Sequence, residues 1–203
     1  MSALLVVDIQ NDFLPGGSLA APNGDKIIPM VNKLIKKFDN VIFTQDWHPK
    51  DNISLASNHP GKKPFDVIEV SYGEQILWPD HCIQGSRGAQ FSSKLDTKKG
   101  QLILRKGYRK DIDSYSAFYE NDRETPTGLK GYLEDRGIHT VYICGIATDY
   151  CVKYSALDGV EDGFNIYVIT NAVAGIAENT IQEAWKEMDC AGVKFVRARP
   201  ARK

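Results

Sequence analysis

The sequence predicts an α/β fold: a three-layer αβα sandwich around a mainly parallel sheet of roughly six strands. Three observations carry that prediction. Short β-branched runs alternate with segments of helical periodicity. The strand candidates are apolar almost throughout, as burial on both faces requires. Several of them end abruptly in a polar or charged residue, and ligand sites of open parallel sheets form outside the carboxyl ends of the strands.

The elements follow in order. Residues 3–7, Ala-Leu-Leu-Val-Val, read as the first buried strand. Residues 25–38 place Ile27, Ile28, Val31, Leu34, Ile35 and Phe38 at helical spacing, with Pro29 in the first turn, where its missing N–H does little harm. Residues 41–44 form the second strand and 102–104 the third. A helix is expected to start at Thr125-Pro126-Thr127, carry Leu129, Tyr132 and Leu133, and stop at Gly137. Then come a strand at 140–144, a helix at 148–162, a strand at 165–170, a helix at 178–191 and a last strand at 193–196. The basic end, residues 197–203, reads as a solvated tail. The stretch 46–100 shows no convincing long helix or strand pair. A connection of that length inside a compact domain is usually functional, and His48, His59 and His81 lie in it.

Composition narrows the function classes. With 203 residues, 25 Lys plus Arg and 26 Asp plus Glu, the net charge is −1. That balance argues against a nucleic-acid binder and a polybasic membrane patch. The length suits one domain, 1–203, interrupted by the long loop at about 46–100. No apolar run approaches the roughly 18–20 residues of a membrane helix, and no basic leader precedes the first strand, so a cytoplasmic location is expected. The cysteines Cys82, Cys144, Cys151 and Cys190 read as free thiols in a reducing compartment.

The strand ends concentrate the chemistry. The first ends in Asp8, the second in Gln45-Asp46-Trp47-His48 and the third in Arg105-Lys106. The fourth ends in Gly145-Ile146-Ala147-Thr148, with Cys151 in the first turn of the next helix. Such a helix N-terminus would favour a thiolate at Cys151; the competing reading is a buried structural cysteine. Cys144, Cys190 and Cys82 read as packing residues. Asp8 suits the base that takes a thiol proton and returns it to a leaving amine; otherwise it caps a loop. Lys106 could hold both partners ionised; otherwise it is a surface lysine. No histidine near a strand end suits the base.

Asp46 and His48, at i and i+2, point to one side of an extended segment. His81, in Trp78-Pro79-Asp80-His81-Cys82, could join them, and two His plus one Asp leave open positions on a metal. His59 competes with His81 on spacing alone. His139 reads as a surface residue.

Taken together, these segments resemble the nicotinamidase/pyrazinamidase branch of the isochorismatase-like cysteine hydrolases. The resemblance rests on Leu4 through Phe13, Thr44-Gln45-Asp46-Trp47-His48-Pro49, Trp78-Pro79-Asp80-His81-Cys82, Lys106-Gly107 and Gly145 through Val152, and it spans nearly the whole chain. It implies a catalytic triad of Asp8, Lys106 and Cys151 and an oxyanion hole from the backbone N–H groups of Ala147 and Cys151. It also implies a non-proline cis peptide between Ile146 and Ala147. One divalent metal ion, zinc with iron or manganese as alternatives, would sit on Asp46, His48 and His81. Phe13 and Trp78 would sandwich the ring of nicotinamide, its nitrogen on the metal, with Tyr115 lining the pocket. Two departures stand out. Ser54 lies where some relatives carry a further His or Glu ligand, and the stretch 108–119 is longer than in some. The implied activity is hydrolysis of nicotinamide to nicotinate and ammonia in NAD salvage, in a protein that could form a homo-oligomer. The alternative is another Asp-Lys-Cys amidase acting on a carbamoyl or ureido substrate. Isochorismate hydrolysis fits less well, since those relatives lack the cysteine. A non-catalytic redox protein lacks the Cys-x-x-Cys pair it would need.

Overall fold

The computed structural model describes residues 1–199. Its strands are β1 (Ser2–Val7), β2 (Val41–Asp46), β3 (Val67–Val70), β4 (Gly73–Ile76), β5 (Leu102–Lys106), β6 (Thr140–Ile146), β7 (Asn165–Ala174) and β8 (Lys194–Val196). Its α-helices are α1 (Ile28–Lys37), α2 (Leu129–Glu134), α3 (Lys153–Glu161) and α4 (Glu178–Cys190). Six strands form one sheet in the order β5-β2-β1-β6-β7-β8, and every pairing in it is parallel.

Alternation along the strands builds two cores. Leu4, Val6, Val41, Phe43, Cys144 and Ile146 face α1 and the long connection. Leu5, Val7, Ile42, Val141 and Ile143 face the buried residues of α2, α3 and α4. Because both faces are covered, β1 is apolar from Ala3 on, and β2 opens on Val41-Ile42-Phe43 and is buried along its whole length. The chain winds from β1 through β2 to β5 on one side, then from β6 through β7 to β8 on the other. The strand order therefore reverses between β1 and β6, the place where such sheets open a crevice.

Several boundaries differ from expectation for local reasons. The helix expected from Thr125 begins only at Leu129, because Gly128 adopts φ 96° and residues 118–127 pair back on themselves (Glu120 N to Thr125 O 2.9 Å, Thr127 N to Phe118 O 2.9 Å). The helix expected from 148 opens as a π-helical turn, Thr148–Val152, and becomes α-helical at Lys153. β5 continues to Lys106 and β6 to Ile146, while β7 continues to Ala174 past a register shift. The stretch 46–100, expected to lack a strand pair, carries the antiparallel β3–β4 hairpin. Its apolar residues are half exposed, so its burial signal is weak.

Cys190 is exposed, not packed. Ala184 and Met188 carry the buried face of α4, and two residues past Met188 a side chain points to the other side of a helix. The expected solvated tail is anchored at its start: Ala198 N donates to Asn171 Oδ1 (2.9 Å) and Asn171 Nδ2 to Ala198 O (3.0 Å). Residues 200–203 of that tail lie outside the described residues. Among the described residues, no helix is long and apolar enough to cross a membrane.

Candidate active site

The site starts from a register pair. On the parallel strands β2 and β5, Asp46 lies opposite Lys106. Lys106 is fully buried, so its ammonium needs partners. Nζ donates to Asp46 Oδ1, to Ser114 O at 3.0 Å and to Cys151 Sγ at 3.4 Å, and it lies 2.9 Å from Asp8 Oδ2. Burial disfavours the charge, but Asp46 and Asp8 outweigh it and keep the lysine protonated well beyond neutrality.

Asp8 leaves β1 at φ 45° and is completely buried. Thr44 Oγ1 donates to its Oδ1 at 2.6 Å, while Oδ2 accepts no hydrogen bond of good geometry. Burial pushes its pKa up to about 6, against the pull of Lys106. Cys151 sits in the π-helical turn after β6. Burial holds its thiol well above the ordinary range, with Lys106 opposing. The expectation that a helix N-terminus makes a resting thiolate is thereby corrected: α3 starts two residues later, and desolvation dominates. One ligand atom each of Asp8, Asp46 and Cys151 lie within 4.8 Å of one another, so an activated thiolate could form by local proton transfer.

Beside this cluster, His48 Nε2 and His81 Nε2 lie 3.6 and 3.8 Å from Asp46 Oδ2. Each ring is oriented through its other nitrogen, His48 Nδ1 on Gly107 O (3.0 Å) and His81 Nδ1 on Pro79 O (2.8 Å). Backbone carbonyls fixing Nδ1 and freeing Nε2 are the arrangement metal-ligating histidines use. Gly107, at φ 64°, is needed for it, since a Cβ there would sit 2.5 Å from His48 Cε1. Burial, then the neighbouring His48, lowers the His81 pKa to about 4, which leaves that ring neutral, the ligating form. Burial opposes ionisation of Asp46, but Lys106, His48 and His81 prevail and hold its carboxyl well below the usual range. Two imidazole nitrogens and one carboxylate oxygen with their ligand atoms within 4.8 Å of one another fit one divalent cation with positions to spare. Asp46 thus divides its oxygens, one for Lys106 and one for the histidines.

The other candidates fall away. His59 Nε2 bonds Ile53 O at 2.7 Å, and His139 is exposed. Ser54 Oγ donates to Asn52 Oδ1 at 2.7 Å. Asp80 turns outward to Ser57, and Cys82 is buried, its N–H on Asp12 Oδ2 at 2.8 Å.

Phe13, Trp78, Tyr115, Tyr150, Leu19 and Ile176 enclose a pocket with Asp46, His48, His81, Asp113, Ala147 and Cys151. Trp78 meets Tyr150 edge-on at 4.9 Å and donates its indole N–H to Tyr115 Oη at 3.1 Å. The Ile146–Ala147 peptide is cis. Sequence reasoning missed the supporting roles of Thr44, Gln10, Gln75 and Asp113. Gln10 grips the Asp46 backbone from both sides, Nε2 on Asp46 O (2.8 Å) and Oε1 under Asp46 N (2.8 Å). Gln10 stands among Asp8, Asn11 and Asp12, so no local pattern singled it out. Asp113, with Oδ1 3.8 Å from His48 Nδ1, carried no signal either.

Comparison with known proteins places the chain in a family. The isochorismatase domain model matches residues 2–199. The chain is 54% identical to a nicotinamidase of Acinetobacter baylyi over 97% of this chain and 92% of that protein. The solved structure of a nicotinamidase/pyrazinamidase of Acinetobacter baumanii superposes with TM-score 0.95, at 54% identity, covering 97% of this chain and 95% of that one. The pyrazinamidase of Pyrococcus horikoshii, solved in complex with zinc, gives TM-score 0.80 at 38% identity, covering 97% and 99% of the two chains. In fold and in sequence, this chain belongs to the isochorismatase family.

Proposed function

We propose that this chain hydrolyses the carboxamide of nicotinamide to nicotinate and ammonia through a thioester on Cys151. The observation that carries the reading is the convergence of Asp8, Asp46 and Cys151 on the single ammonium of Lys106. It lies beside two histidines aimed at Asp46 and under an aromatic roof.

Asp8 is mostly ionised at neutral pH, since its pKa is raised only to about 6, and its Oδ2, facing Lys106 Nζ at 2.9 Å, keeps a lone pair for a proton. As Cys151 Sγ attacks the amide carbon, its proton passes to Asp8. The backbone N–H groups of Ala147 and Cys151 hold the tetrahedral oxyanion. Collapse expels ammonia, which takes the proton from Asp8, and leaves the thioester. Water then attacks that carbonyl and gives a proton to Asp8. The second collapse releases nicotinate, and the departing thiolate recovers the proton. Lys106 stays protonated throughout and offsets the negative charge that moves among Asp8, Sγ and Asp46.

Asp46, His48 and His81 would hold the metal. Zinc is the proposed ion, supported by the zinc complex of the Pyrococcus horikoshii relative. Bound there, it would supply a Lewis acid for the lone pair of the pyridine nitrogen. Phe13, Trp78 and Tyr115 enclose the flat ring and contribute its binding, while Asp46, His48 and His81, through the ion they would hold, orient the carboxamide towards Sγ. The carbamoyl or ureido reading gives no account of the histidine pair. A cytosolic location belongs to the same proposal.

Ammonia release from nicotinamide, measured with the metal content of the same sample, tests the reading. Cys151→Ala should lower the rate by about 10⁴-fold or more. Wild-type activity in that variant would refute the thioester route.

A further inference from the structure

Within β3 and β4 the one buried residue is Gln75, 1% exposed. A buried primary amide must find partners for two N–H hydrogens and a carbonyl. Gln75 finds them on three segments. Nε2 donates to Ile76 O (2.7 Å), Tyr115 Oη (3.1 Å) and Asp113 Oδ2 (3.3 Å). Oε1 accepts from Tyr72 Oη (3.0 Å) and Asn121 Nδ2 (3.3 Å). The contact with Tyr115 matters most, because the same hydroxyl oxygen accepts the indole N–H of Trp78 at 3.1 Å. Both residues line the pocket that holds Cys151 and the histidines.

We propose that Gln75 is a positioning residue for the substrate ring, clamping the Tyr115 hydroxyl against Trp78 and so setting the distance between two pocket walls. This rests on the proposed function, which puts an aromatic ring in that pocket. Gln75 does not itself line the pocket; of its partners Tyr115 and Asp113 do, and the Tyr115 hydroxyl, at 3.1 Å against 3.3 Å, is the one that also holds Trp78. A loosened wall weakens ground state and transition state alike, so the effect belongs in KM rather than in kcat.

The experiment is a cycle of Gln75→Leu, Tyr115→Phe and the double variant, with kcat and KM for nicotinamide measured beside thermal unfolding. Gln75→Leu should raise KM about tenfold and leave kcat within about threefold, the size expected for one or two lost hydrogen bonds. The double variant should raise KM no further than the worse single variant, because the link between Gln75 and the Tyr115 hydroxyl is already cut in each single variant. A purely structural role would instead lower the unfolding temperature with KM unchanged, or give additive effects, and either result overturns the proposal. Should Gln75→Leu fail to fold, Tyr115→Phe decides alone: a raised KM with a changed tryptophan near-ultraviolet dichroism supports the link, and an unchanged KM overturns it. The wild type keeps the two readings apart. No ammonia release from nicotinamide refutes the proposed function, whereas release with KM unchanged in both single variants refutes only the role of Gln75.

Discussion

The nucleophile side of the site and the histidine side are built in opposite ways. On the nucleophile side, Asp8, Lys106 and Cys151 project from or just after strand ends of the central sheet, and the Lys106 ammonium holds them together, by charge at Asp8 and by a hydrogen bond at Cys151 Sγ. On the other side, His81 and Trp78 come from the long connection, and neutral backbone carbonyls set the histidine rings. The first arrangement buries ions that must balance one another to remain charged. The second needs neutral ligands with fixed tautomers. Among the described residues, Asp46 is the side chain that serves both, bonding Lys106 with one oxygen and facing both histidines with the other. Reaction chemistry and ring placement can therefore be tuned separately, except through that one carboxylate.

The contrast breaks most completely at Lys106. Lys106→Met leaves two carboxylates, Asp8 and Asp46, buried without their cation, and should cost about 3–5 kcal/mol of stability with loss of nearly all activity. Urea unfolding at neutral pH measures the first; a variant as stable as wild type would mean that the buried charges are balanced by other groups.

Metal removal should separate the two sides. Chelation is expected to lower kcat/KM for nicotinamide by about 10²-fold through lost orientation and to leave the alkylation rate of Cys151 nearly unchanged. Metal add-back should restore turnover. Full activity in demonstrably metal-free protein would remove the histidine side from the mechanism.

Gly107→Ala probes the carbonyl-set side alone. The added Cβ would meet His48 Cε1, push the ring from its carbonyl and weaken metal binding by about 10–100-fold. Competition against a fluorescent zinc chelator reads that loss, and unaltered affinity would show that His48 is placed by other contacts.

The smallest effect concerns protons on the charge-held side. The reaction needs Asp8 as carboxylate, and burial raises its pKa to about 6. The rate in kcat/KM should therefore fall about tenfold per pH unit below about 6. The stability sign is the reverse of that of an ordinary ion-paired carboxylate. Between the ordinary value of 3.8 and about 6 the folded state binds more protons at Asp8 than the unfolded state, so this group disfavours folding as pH rises through that window. An acid limb that stays in place in Thr44→Val, which removes a hydrogen bond that lowers the Asp8 pKa, would assign the limb to another group.

Much of this was legible because it is local. A run of apolar residues that stops at Asp8, or at Gln45-Asp46, announces both the buried strand and the polar rim in adjacent letters. The same logic failed where burial is not written locally. The β3–β4 hairpin is mostly exposed, so its periodicity is faint. Cys190 sits in an amphipathic helix yet faces outward, because the buried stripe of α4 is as narrow as Ala184 and Met188. At Cys151, helix position suggested a thiolate, whereas burial argues for a resting thiol. Desolvation depends on everything packed around a group, and no neighbouring residue in the chain records it.

By itself the sequence determined the α/β alternation, the strand ends that carry the reactive groups, and the family, since each is encoded in short contiguous patterns. Tertiary structure alone decided how those groups share partners. Lys106 reaches Asp8, Asp46 and Cys151 only because the parallel order β5-β2-β1-β6 places their strand ends side by side. Gln75 reaches Tyr115 across 40 residues of chain. The physical reason is common to both. Buried charges and amides must satisfy one another wherever folding brings them, and that matching is set by distance in space rather than separation in sequence.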